Sequence, residues 1–165
     1  MKKIVLTTLL VTALGGFARA DQSSTNAPVV SDTAPEHKFG VGLLLGEPTG
    51  ASLKYWINDR FALDGGVGCS FHGEDNLHLH TDVLYHFNHV IEVSKGSLPI
   101  YVGGGVRYKF RDDRDDLFGF RIPAGIAYMF EDVPVDIFCE VAPVLDVNPS
   151  TRWQFTAGIG ARYWF

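Results

Sequence analysis

The last thirteen residues constrain this chain more than anything in its composition. Trp153, Phe155, Ala157, Ile159, Ala161, Tyr163 and Phe165 alternate without a break with Gln154, Thr156, Gly158, Gly160, Arg162 and Trp164. A strand sends successive side chains to opposite faces, so period two makes this run one ribbon with an apolar face and a mixed one. The run is roughly twice the ~5–6 residues of an ordinary soluble strand. A helix would spread the same residues around its whole circumference and leave no buried stripe.

The same split recurs upstream. Residues 61–71, 77–87, 100–110, 118–130 and 135–142 each place their apolar and aromatic residues on one parity and their charges and glycines on the other. Shorter runs at 39–45 and 51–57 bring the number of strands to eight. Polarity then separates two architectures. A soluble barrel points apolar residues inward and charges outward. Here the apolar face is continuous and gathers aromatics near both ends, as Phe118, Phe120, Tyr128 and Phe130 do in one strand. An outer band facing lipid, aromatic girdles and a polar interior describe a transmembrane barrel. Lipid also demands that every backbone group be paired, which closure achieves without an edge. The expected fold is therefore all-β, an eight-stranded antiparallel up-and-down transmembrane β-barrel, with a soluble sandwich as the competing reading.

Two prolines interrupt this pattern. Pro123 and Pro143 cannot donate to a ladder, and a closed barrel has no edge on which to hide them, so a bulge or strand end is expected at each. Residues 88–98 are long for a tight turn, which suggests that the flanking strands run further. Cys69 and Cys139 fall four strands apart on the outward parity, too far for the ~7 Å that a disulfide allows, and are expected as free thiols facing lipid.

The first twenty residues read as a secretory signal. Lys2 and Lys3 precede an apolar stretch at 4–14, and Ala18-Arg19-Ala20 supplies a small-x-small cleavage site. That stretch is shorter than the ~20 residues of a membrane-spanning helix. The expected organisation is a signal peptide at 1–20, a polar flexible leader at 21–37 and the barrel at 38–165. Cleavage would remove Lys2, Lys3 and Arg19 and no acid, making the formal charge of −5 more negative by three. An acidic chain without a basic patch gives no support to nucleic acid as a partner.

Several segments carry a family likeness. Gly158-Ile159-Gly160-Ala161-Arg162-Tyr163-Trp164-Phe165 resembles the closing strand of outer-membrane barrels. Pro48-Thr49-Gly50 with Lys54-Tyr55-Trp56, Arg121-Ile122-Pro123-Ala124-Gly125, and Pro134-Val135-Asp136-Ile137-Phe138 continuing through Glu140 to Pro143 narrow this further. Together they resemble a family of small OmpA-like outer-membrane barrels. The resemblance implies that Tyr163 and Phe165 form a signal for the barrel assembly machinery. It implies further that outer-membrane lipid surrounds the chain and that both termini are periplasmic. Residues 46–50, 72–75, 111–116 and 146–152 would then face outside the cell, where an unknown extracellular ligand could meet them.

The inward parity collects Lys38, Lys54, Arg107, Lys109, Arg121 and Arg162 against Asp64, Asp82, Asp136 and Glu140. Eight strands enclose only enough room for side chains, so these groups are expected to plug the lumen as a structural network of ion pairs. Arg121 and Glu140, on adjacent strands, form the leading pair. A gated narrow pore is the alternative. His78, His80 and His86 share the inward face, with His72 nearby. Two imidazoles at i and i+2 can converge on an ion, but no Cys or carboxylate stands at a recognisable ligand spacing beside them, so no metal is expected. Arg111-Asp112-Asp113-Arg114-Asp115-Asp116 lacks the spaced ligands and turn glycine of a calcium loop and reads as a solvated loop. Nucleophilic catalysis needs a nucleophile and a base within hydrogen-bond reach, and no such pair is visible, so neither catalytic residue nor cofactor is expected. A non-enzymatic barrel with a structural or surface-interacting role leads. An adhesin acting through the short outer loops and a lipid A-modifying enzyme are the alternatives.

Overall fold

A sheet with one continuous apolar face must cover that face with another layer or close with it turned toward lipid. The computed structural model, which describes residues 37–69, 77–88, 90–111 and 115–165, takes the second course. The expected signal and leader up to residue 36, the loop at 72–75 and the middle of the 111–116 loop lie outside the described residues. The strands are β1 (Phe39–Gly46), β2 (Thr49–Trp56), β3 (Phe61–Cys69), β4 (Leu77–Phe87), β5 (Ile100–Phe110), β6 (Leu117–Arg121), β7 (Ala124–Met129), β8 (Val135–Asn148) and β9 (Arg152–Trp164). All pairings are antiparallel. β1 pairs with both β2 and β9, β4 pairs with β5, and the ring closes. β6 and β7 lie one after the other between β5 and β8, so nine segments fill eight positions in the ring. No helix among the described residues is long and apolar enough to cross a membrane.

The register sets the barrel's dimensions. From Gly40, partners run through Lys54, Asp64, Asp82, Gly105, Arg121, Val144 and Gln154, and the line re-enters the β1 register at position 50, ten residues beyond position 40. That stagger tilts eight strands by roughly 40° and leaves an interior just wide enough for side chains. The 11-residue β4, rising ~3.3 Å per residue at this tilt, covers about 27 Å of height. The apolar band of a transmembrane barrel is ~25 Å tall.

The two prolines share one defect. Gly103 N–H donates to Pro123 O at 2.8 Å and Ile122 N–H donates to Pro143 O at 3.0 Å. In each pair the returning bond would need a proline N–H that does not exist. The strand expected over 118–130 accordingly breaks into β6 and β7 at Ile122-Pro123. The interruption expected at Pro143 is absent: β8 runs straight through it in register with β9. Its missing donor faces the gap beside Pro123, so one break accommodates both residues. A register shift does occur on the β6–β8 ladder, but between Phe118 and Gly119.

Residues 88–98 do not lengthen the flanking strands as expected. β4 stops at Phe87 and β5 starts at Ile100. Between them Ser97 bridges Met129, donating to its carbonyl at 3.0 Å and accepting from its N–H at 2.9 Å. Gly96, at φ 68°, turns the chain into this bridge in the left-handed region that glycine enters freely.

The outward face is apolar and layered. At the end where β1 begins and β9 finishes, Phe39, Tyr55, Phe61, Phe87, Phe130, Tyr163 and Phe165 are exposed, and at the far end so are Tyr108, Phe110, Phe120, Trp153 and Phe155. Many pack edge-on or tilted against the next residue on the same face, as Tyr85–Phe87, Tyr128–Phe130, Tyr163–Phe165 and Tyr108–Phe110 do. Between the girdles lie exposed Leu43, Leu53, Leu63, Val83, Ile137, Val141 and Ile159. In water such a surface would far exceed the few hundred Å² of contiguous apolar patch that a soluble monomer tolerates. Cys69 and Cys139 sit on this surface as free, exposed thiols.

Candidate functional site

The inward face holds the chemistry. Its large side chains fit because glycines stand opposite them across the ladders: Gly42 opposite Arg162, Gly66 opposite His80, Gly125 opposite Glu140 and Tyr101, Gly160 opposite Phe138. A methyl group on Gly42 would stand 2.6 Å from Arg162 Cγ, and one on Gly125 2.5 Å from Tyr101 Cζ. Small residues on one strand thus make the space that long ones on its neighbours occupy.

Where β1 begins and β9 ends, the lumen holds an aromatic layer. Trp56 and Trp164 are buried with ring centroids 6.1 Å apart. His86 packs on Trp56 at 4.3 Å and on Tyr101 at 5.2 Å. Lys54 reaches into this layer, with Nζ 2.8 Å from His86 Nε2 and lying over the rings of Tyr101 and Trp56 at 4.7 and 5.3 Å. A buried ammonium held by an imidazole and two π faces keeps favourable electrostatics without water.

Next come two guanidiniums. Arg162 contacts Asp136 through Nε at 3.1 and 3.3 Å and through Nη2 at 3.1 Å, and reaches Asp64 through Nη1 at 2.8 Å. Its face rests 3.9 Å from the centroid of Phe138. Arg121 lies 2.5 Å from Glu140 and 3.1 Å from Asp82, and the Tyr101 hydroxyl donates to Glu140 at 3.1 Å. Toward the loop end, Arg107 pairs with Asp146 and donates to Gln154 Oε1 at 3.1 Å. Charges buried this deeply persist only when paired and hydrogen-bonded.

The residues singled out by sequence divide unevenly. Lys54, Asp64, Asp82, Arg107, Arg121, Asp136, Glu140 and Arg162 are buried together. Lys109 is half-buried toward the loop end. Lys38 is not in the lumen: it precedes β1 and is exposed, so its inward parity counts for nothing beyond the mouth. Tyr163 and Phe165 are exposed on the outer surface. Asp146, expected in an outer loop, is instead fully buried on β8 and pairs with Arg107. The parity running from Asp136 through Glu140 continues to Asp146, and only the interruption expected at Pro143 hid it. Tyr101, Gln154 and Thr156 share the inward parity but are uncharged, and a reading built on charge passed over them.

An ionic interior inside an apolar, aromatic-girdled wall defines the class: a transmembrane β-barrel of eight strands with a polar lumen. No family model and no curated protein sequence matches the chain. Among solved structures, the N-terminal β-barrel domain of Pseudomonas aeruginosa OprF superposes with a TM-score of 0.58 at 18% identity, over 78% of this chain and 96% of that one. Ail, the attachment invasion locus protein of Yersinia pestis, superposes with a TM-score of 0.35 at 15% identity, over 78% of this chain and 94% of that one. The likeness to the OprF domain is one of fold, and it bears out the small OmpA-like barrel that the sequence resembles.

Proposed function

We propose that this chain is a bacterial outer-membrane protein with a plugged lumen, non-enzymatic and structural or surface-interacting in role. The observation that carries the reading is the inverted polarity of the barrel, with paired charges inside and bare apolar side chains outside. The space beside Arg121 and Glu140, lined also by Leu44 and Thr156, measures only about 10 Å³, no more than one water requires. We assign to the periplasm the mouth at which β1 begins and β9 ends. The exposed aromatics at Tyr163 and Phe165 then close the last strand where the barrel assembly machinery would engage it.

The test is electrical. Folded protein added to planar bilayers of outer-membrane lipid should insert without discrete current steps. Reproducible single-channel openings would overturn the plugged lumen. Recovery of the protein in the soluble fraction after cell breakage and carbonate washing would overturn the membrane assignment.

A further inference from the structure

We propose that Asp64, His80 and Asp82 form a divalent metal site on the inner wall of the barrel, suited to a borderline ion such as Zn2+. Asp64 on β3 and Asp82 on β4 are direct cross-strand partners, and His80 lies one inward step from Asp82. One donor atom from each falls within 4.8 Å of the others, and all three residues are buried. His80 Nε2 is 4.0 Å from Asp64 Oδ2. Donors ~2.0–2.2 Å from a common ion stand about 3.0–3.5 Å apart, so a side-chain rotation of about 1 Å closes the set.

Two further observations point to a ligand here. Like charges directly opposite on neighbouring strands are destabilising, yet this pair is buried away from water. Asp82 is 2% exposed; its Oδ2 meets Arg121 Nε as an ion pair at 3.1 Å, but neither carboxylate oxygen accepts a well-directed hydrogen bond, and Nδ1 of His80 has no hydrogen-bond partner. An ion here would displace Arg121 Nε from Asp82 and Arg162 Nη1 from Asp64. Arg162 keeps three contacts to Asp136, and Arg121 keeps Glu140, when Asp64 and Asp82 turn to an ion. One imidazole with two carboxylates suits Zn2+ or Co2+ better than the all-oxygen preference of Ca2+ or Mg2+.

The experiment refolds the full chain in detergent with Zn2+ or Co2+, strips loose ions with EDTA and gel filtration, and measures retained metal. About one ion per folded barrel is expected, with a Co2+ visible absorption band that disappears when the barrel is heat-unfolded. His80→Gln and Asp82→Asn, each verified as folded by its heat-dependent gel mobility, should each lower retention at least about tenfold, the loss usual even for an outer-shell partner. Gly66→Ala gives the same test without removing a donor, because its new methyl would stand 2.8 Å from His80 Nε2. His37→Ala, exposed just ahead of β1, should change nothing. A folded wild-type barrel that retains no ion and shows no cobalt band overturns the proposal, whether or not the variants fold. Equal retention by the folded variants overturns it as well.

Discussion

Replacing Arg162 with methionine isolates the ionic interior in one residue. Arg162 is 2% exposed and carries three contacts to Asp136 and one to Asp64. Methionine keeps most of the apolar stem against Phe138 but leaves Asp136 as a buried carboxylate stripped of that cation. Removing one partner of a buried pair costs ~3–5 kcal/mol. Asp136→Asn alone leaves Arg162 its contact with Asp64 and should cost ~1–3 kcal/mol. In the double variant Asp136 is no longer a charge in need of a partner, so the combined cost should fall short of the sum by about 2 kcal/mol. Reversible urea unfolding in lipid vesicles, followed by tryptophan fluorescence, measures each corner of this cycle. The reasoning fails if Arg162→Met lies within about 1 kcal/mol of wild type, or if the two substitutions are additive.

Other substitutions separate the two faces of the wall. Gly125→Ala should destabilise by ~1–3 kcal/mol through overpacking against the Tyr101 ring, whereas Gly104→Ala, outward and with nothing within 4 Å of its added methyl, should be neutral in the same unfolding assay. Val83→Arg, at the middle of β4 and facing outward, should cost ~2–4 kcal/mol in vesicles; a soluble sandwich would show no such penalty. In vesicles, Cys139 should react with a lipid-soluble maleimide and resist a charged methanethiosulfonate, and labelling by the charged reagent alone would place it in water.

Most of the barrel was legible because period two is strict on a wall with different solvents on its two sides. Once Trp153 to Phe165 fixes which parity is apolar, every other strand inherits its facing. Local turn chemistry was less legible. Proline reads as a defect wherever it occurs, and sequence alone does not reveal that Pro123 and Pro143 meet across one ladder and share a single break. That ambiguity also cut β8 short and sent Asp146 outside. The lumen was legible as a set of charges, but its partners follow from a stagger of ten residues that no single strand encodes. Register brings Asp64, distant in the chain, beside His80 and Asp82, so a search for ligand spacings along the chain could not find the set. Lys38 shows the converse limit, since parity has meaning only where a strand is paired on both sides.

The central claim is the direction of the wall's two faces, and the most direct measurement is a spin-label scan along β4 in vesicles. Single nitroxides from Leu77 to Phe87 would be compared for collision with oxygen, which partitions into lipid, and with a water-soluble nickel chelate. Labels at 77, 79, 81, 83, 85 and 87 should be accessible to oxygen, and those at 78, 80, 82, 84 and 86 shielded from it. Oxygen access at the even positions instead, or the absence of a two-residue period, would contradict the barrel described above.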